Sequence, residues 1–239
     1  MKLIYLEHSG FLLCGRDFNM VIDYIIGRSG AFDIVENHAL NDTKPLYVLA
    51  SHSHADHFDP SVLTWRLKNG DSPTYIFSGD IKGAKTSGQK ATFVNPGEEY
   101  SDGILRLKAF GSTDEGVSFY IEAGGKKIFH AGDLNNWHWE EESTPEEVRE
   151  SEEAYQKELA AAAREIKSLD LAMFPLDIRL GGGYMRGAEQ FLDAIKVMLF
   201  APMHFWGRFD TLPPFKEYAE KRGTEVVLWE KTGQEVELK

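Results

Sequence analysis

Ser51-His52-Ser53-His54-Ala55-Asp56-His57 follows directly on the apolar run Leu46-Tyr47-Val48-Leu49-Ala50, and its reading decides the fold. Three of the chain's eight histidines fall within it, beside an aspartate. Chance would produce His-x-His-x-Asp-His in fewer than about one in a thousand chains of this composition. Imidazole and carboxylate are the ligands that borderline divalent metals such as zinc prefer. In an extended segment His52 and His54 point to the same side, since side chains alternate along a strand. Asp56 and His57 come where the chain has to turn, so they can serve a second metal beside the first. The competing reading, a solvated loop rich in histidine, leaves the clustering without a reason.

Two more apolar runs lead into ligand-type residues. Lys127-Ile128-Phe129 runs into His130-Ala131-Gly132-Asp133, and the run 197–201 into Pro202-Met203-His204. Taken alone, Asp133 reads equally as a turn aspartate after glycine, and His204 as a core histidine. Taken together, three apolar strands each end on a ligand. Strand ends converging on one edge of a sheet are a common place for α/β active sites.

The rest of the chain supplies the frame. Strands are expected at 3–6, 11–14, 20–26, 46–50, 75–78, 104–110, 117–122 and 127–130, with Gly124-Gly125 as a hairpin turn. Thr144-Pro145-Glu146-Glu147 is a capping box with proline at the first helical position, opening a helix that runs to about Ser168. Strand 169–174, helix 188–197, strand 198–202, helix 214–221 and strands 225–230 and 235–238 follow. Strand-rich sequence followed by alternating strands and helices predicts a layered α/β protein, and with no linker in 239 residues one domain is expected. Hydrophobic residues make up 42% and charged residues 27% of the chain, as in ordinary globular proteins. A net charge of −12 argues against extended nucleic acid as a partner. The start, Met1 to His8, lacks the apolar stretch of a signal peptide, and no run approaches the length of a membrane helix. The sole cysteine, Cys14, excludes an intrachain disulfide and reads as a small core residue. A cytoplasmic protein with no membrane partner is expected.

The His52–His57 pattern after an apolar strand, with Gly132-Asp133 and His204 following later strands, resembles the metallo-β-lactamase superfamily. The openings Glu7-His8-Ser9-Gly10-Phe11 and Val21-Ile22-Asp23 resemble those of its ascorbate-6-phosphate-lactonase-like branch. The resemblance implies a four-layer αββα sandwich with the site along one edge. It implies that His52 and His54 hold one metal, that Asp56, His57 and His204 hold a second, and that Asp133 bridges them. It further implies one or two divalent ions, zinc first, with manganese or iron as alternatives, and a metal-activated hydroxide acting on a small ester, lactone or phosphoester. Asp56 is assigned a catalytic part as well as a metal.

The family's first metal normally has a third histidine, upstream of the Gly-Asp motif. The corresponding region, Phe110-Gly111-Ser112-Thr113-Asp114-Glu115-Gly116, contains none. Asp114 is the expected substitute ligand, while Thr113 stands where the histidine would. His8 reads equally as a site residue or a strand cap, and His130 as a packing residue. Trp137, His138 and Trp139 follow the bridging aspartate; His138 is the candidate proton donor and the tryptophans candidate pocket walls. In the glycine-rich loop Gly181-Gly182-Gly183-Tyr184-Met185-Arg186, Tyr184 or Arg186 could touch substrate. His38 reads as a surface residue. Two other functions remain open: a di-iron oxidoreductase of the same fold, and a sensor or binding module that keeps a metal without turnover. For the first, no flavin domain is present and His54 stands where a glutamate would be expected. The partner expected is a small-molecule substrate. Related lactonase-like proteins form homo-oligomers, which leaves that state open here.

Overall fold

The computed structural model describes residues 1–27, 30–83, 90–139 and 141–239. Among the described residues, fourteen strands form two seven-stranded sheets. The first sheet has the order β14-β1-β2-β3-β4-β5-β6: β1 is Lys2–Glu7, β2 Gly10–Cys14, β3 Asn19–Ile22, β4 Leu46–Ala50, β5 Thr74–Ser78, β6 Ala91–Val94 and β14 Glu235–Glu237. The second has the order β13-β12-β11-β10-β9-β8-β7: β7 is Glu99–Ser101, β8 Leu105–Phe110, β9 Ser118–Ala123, β10 Lys126–His130, β11 Ser168–Pro175, β12 Lys196–Met203 and β13 Glu225–Val226.

Alternation along the strands explains why the sheets stack. In β1, Leu3 and Tyr5 face the core between the sheets, while Ile4 and Leu6 face a second core on the outer side. Helix α1 (Ala31–Val35) contributes Ala31 and Val35 to that outer core. Helices α2 (Pro145–Glu165), α3 (Arg186–Ala194) and α4 (Pro213–Glu220) pack on the second sheet through β8, β11, β12 and β13. The layers are therefore helix, sheet, sheet, helix, as expected.

Local chemistry sets the boundaries. Thr144 accepts from the Glu147 amide and Glu147 reaches back to the Thr144 amide, so the capping box forms as read. Such a cap contributes about 1 kcal/mol. Gly124 and Gly125, at φ 58° and 75°, form a two-residue turn between Ala123 and Lys126, the left-handed geometry a tight hairpin demands. Several expected elements are shorter than read, three of them instructively. Strand β3 ends at Ile22 because Asp23 turns into the left-handed region at φ 48°. Helix α3 starts at Arg186 and stops at Ala194, since Ile195 is already extended and leads into β12. Strand β13 covers only Glu225–Val226. Cys14 is half-buried at the rim of the outer core, and His38 is exposed. Among the described residues, no helix is long and apolar enough to cross a membrane.

The topology positions the site. Strands β3 and β4 run parallel in one sheet, and β10, β11 and β12 run parallel in the other. Their carboxyl ends carry, in order, Asp23, Ser51-His52, Gly132-Asp133, Asp177 and His204.

Candidate metal centre

These strand ends and the turns beside them bring eight side chains together, five of them buried, with Asp56 half-buried and His54 and Asp114 exposed at the mouth. His8, from the turn between β1 and β2, joins Asp56, His57 and His204, whose ligand-type atoms all lie within 4.8 Å of one another. His52, His57 and Asp133 form a second such group, and His54, Asp114 and Asp133 a third. Asp133 lies between them. Its Oδ1 is 3.1 Å from His57 Nε2 and 3.4 Å from His204 Nε2, while its Oδ2 is 3.5 Å from His52 Nε2. His52 Nε2 and His54 Nδ1 are 3.0 Å apart, so the alternation places both rings on one side as read. The chain then turns: the His57 and Phe58 amides both donate to His54 O.

The donor set fits a divalent ion. Nε2 of His8, His57 and His204 and Oδ1 of Asp133 are all buried, and none has a hydrogen-bond partner among the described residues. Buried polar atoms left unpaired are costly, and several gathered together suit a bound cation. Burial pushes the His8 and His52 imidazoles down to about 4, which keeps both neutral, the form that binds metal. Burial alone would raise Asp133, but His57, His204 and His52 outweigh it and hold the carboxyl well below its ordinary range. Burial would likewise lower His57, yet Asp133 and Asp23 together push it up to about 10. A site that holds a proton so tightly has the negative potential that also favours a metal cation.

Other residues hold the ligands in place. Asp23 is fully buried and accepts from the Ser51 amide at 2.7 Å, the Ser51 hydroxyl at 2.6 Å and His57 Nδ1 at 2.8 Å. Asp177 accepts from His204 Nδ1 at 2.8 Å. Both are carboxylate–histidine pairs that fix the tautomer and leave Nε2 for the metal. Gly116, at φ 74°, lets its loop close on the histidine segment: a Cβ there would lie 2.0 Å from Ser51 O and 2.5 Å from His52 Cβ. Four non-glycine residues have left-handed backbones among the described residues: His8, Asp23, His204 and Trp206. All four line or support this cluster. Each such backbone costs about 1 kcal/mol or more, and strain of this kind concentrates at functional sites.

The cluster opens into a cleft of about 370 Å³ lined by His54, Asp56, Thr113, Asp114, Asp133, Trp137, Trp139, Arg179 and His204. Asp114 lies where the missing histidine's replacement was expected, its Oδ2 4.0 Å from His54 Nδ1. The Thr113 hydroxyl is occupied by the backbone of Asn135. Trp137 and Trp139 form walls as read.

Other placements differ from the sequence reading. His138 is 1% exposed, its Nδ1 lies 3.1 Å from Asn136 O, and it is not among the residues that line the cleft. The Tyr184 hydroxyl donates to Thr211 O, away from the cleft, and Arg186 opens helix α3. His130 is a packing residue: its Nε2 donates to Ser9 O and its Nδ1 accepts from the Gly132 amide, which sets the turn before Asp133. Asp177, Arg179 and Ser51 went unrecognised, and Asp23 was noted only as part of an opening motif. The signal for Asp23 and Asp177 was the one used for the ligands, an acid just past an apolar strand.

A model of the beta-lactamase superfamily domain matches residues 2–147. The chain belongs to the beta-lactamase superfamily. A Symbiobacterium thermophilum protein named as a UPF0173 metal-dependent hydrolase is 27% identical over 221 residues, covering 89% of this chain and 87% of its own. The structure of Igni18, a metallo hydrolase from Ignicoccus hospitalis, superposes with a TM-score of 0.65 at 18% identity, over 98% of this chain and 97% of its own. YhfI of Bacillus subtilis, a metallo-beta-lactamase fold protein, gives a TM-score of 0.66 at 14% identity, over 98% of each chain. The αββα sandwich is thus the superfamily's fold.

Proposed function

We propose that this superfamily member is a metal-dependent hydrolase of a small ester, lactone or phosphoester. The observation that carries the reading is that the unpaired, buried Nε2 atoms of His57 and His204 converge on Asp133 Oδ1, with the equally unpaired His8 Nε2 grouped beside them and Asp56. The name of the Symbiobacterium relative supports it. His8, Asp56, His57 and His204 would hold one divalent ion, and His52, His54 and Asp114 a second, with Asp133 between the two groups. Zinc suits the histidine-rich group, and the carboxylates at the other admit manganese or iron. Bound divalent ions supply Lewis acidity and acidify water at neutral pH.

The chain's own residues do the rest. Asp23 and Asp177 hold His57 and His204 with Nε2 facing inward. Asp56 lies at the cleft with its Oδ2 3.4 Å from His8 Nε2, and the His8 imidazole beside it holds the carboxyl well below its ordinary range. Ionised, it can accept a hydrogen bond from water entering the cleft and orient it towards a bound carbonyl or phosphorus. Trp137 and Trp139 narrow the space in which the substrate lies.

Chelator treatment is expected to abolish turnover of generic lactone or phosphodiester substrates, with recovery on adding a divalent metal. It is also expected to lower Tm by about 5–10 °C, since a ligand at a hundred times its Kd contributes about 2.7 kcal/mol to a protein of this size. Turnover that survives complete metal removal would refute the hydrolase mechanism. A metal-loaded protein that turns over none of these compounds would favour the binding-module reading.

A further inference from the structure

We propose that Arg179 selects the substrate, by binding a carboxylate set apart from the bond that is cleaved. The substrate class is then an ester or lactone with a remote carboxylate group, and the proposal rests on the hydrolase reading above. Arg179 lies just past β11 and lines the same cleft as Asp56, Asp114, Asp133 and His204. Among the described residues lining that cleft it is the one permanent cation.

Its guanidinium is fixed and only half used. Nε and Nη2 donate to both oxygens of Asp177, and Nη1 has no hydrogen-bond partner among the described residues. The guanidinium carbon lies 4.5 Å from the ring centre of Trp206 and 5.7 Å from that of Trp139. Cation–π contact with two indoles holds the plane of the group without consuming its donors. Trp206 adopts a left-handed backbone at φ 54°, and its indole Nε1 donates to the same Asp177 at 3.2 Å. Asp177 thus takes donors from His204, Trp206 and Arg179 at once. Its charge is spread over all of them, and the arginine keeps a net capacity for a second anion. The free edge is planar and the side chain, 45% exposed, lines the cleft, a fork that suits a planar carboxylate.

The simpler role for Arg179 is to steady Asp177 and, through it, His204. Such a role affects all substrates alike, so a ratio taken within each protein separates the two. One arm compares kcat/KM for 4-nitrophenyl hemisuccinate and 4-nitrophenyl butyrate, which share the leaving group and differ by the remote carboxylate. The other compares calorimetric binding of glutarate and butyrate to the metal-loaded protein. Both ligands offer one carboxylate to the metals, and only glutarate offers a second.

In the wild type both ratios are expected to favour the compound with the remote carboxylate about tenfold or more, the worth of one charge-assisted hydrogen-bonded contact. Arg179→Gln is expected to bring both ratios to within about twofold of one, and Arg179→Lys to keep part of the preference. Ratios near one in the wild type, or a wild-type preference that persists in Arg179→Gln, overturn the proposal. If neither ester is turned over while the glutarate preference is present and lost in Arg179→Gln, the carboxylate site stands and the hydrolase reading fails. Turnover of both esters without preference fails the carboxylate site alone.

Discussion

Asp133→Asn is expected to lower hydrolytic turnover by about a thousandfold or more, roughly 4 kcal/mol, which is the scale of what metals contribute to such reactions. The substitution keeps the size and shape of the side chain. It removes the one charge that faces His57, His204 and His52 at once, at 3.1, 3.4 and 3.5 Å. It also replaces an acceptor with an amide NH2 that cannot ligate a cation. Because Asp133 belongs to both the His52 and the His54 groups, its loss weakens ligation across the cluster rather than at one position. The variant should fold, since the turn before it is held by His130 and the Gly132 amide and the carboxylate makes no hydrogen bond that the sheets depend on. Steady-state kinetics beside metal content would check this. Wild-type turnover in the variant would remove Asp133 from the mechanism.

Asp23→Ala is expected to cost about 3–5 kcal/mol of stability, the usual consequence of removing one partner from a buried charged network. The substitution strands the Ser51 amide, the Ser51 hydroxyl and His57 Nδ1 in a place with no solvent access. It also frees the left-handed backbone at residue 23 of the contacts that hold it there. For a chain of this size the loss corresponds to a fall in Tm of about 6–20 °C. Denaturant unfolding should show a lower midpoint with an unchanged slope. A loss below about 1 kcal/mol would mean that the Asp23 network does not form. With His57 no longer oriented, metal affinity is expected to fall about 10–100-fold as well.

The fold and the core of the site were legible wherever residue type and local period agree. The apolar run before His52, the runs before Asp133 and His204, the paired glycines 124 and 125 and the capping box at Thr144 each carry a local physical signal. The structure places all of them where that signal points. What was not legible depends on pairing between distant strands. Asp23 and Asp177 look like turn acids until β3 lies parallel to β4, and β11 parallel to β12, and each acid is set beside a histidine. His8 could be weighed only evenly, because its place beside His57 and His204 comes from the turn between β1 and β2 closing onto the other sheet. Strands β6 and β7 were missed because both are short, and β7 is largely exposed without an apolar run. His138 sits between two cleft tryptophans in sequence, yet it is buried, and local sequence carries no signal for that. Arg179 was passed over for Tyr184 and Arg186 because nothing local marks it. Its role comes from two tryptophans 40 residues before it and 27 after it.

Elemental analysis of protein purified without chelator tests the metal centre most directly. Divalent metal is expected at no less than one ion per chain, approaching two at saturation and falling sharply in Asp133→Asn. Wild-type protein that carries no divalent metal, takes up none when it is supplied, and keeps its Tm in chelator would contradict the assignment.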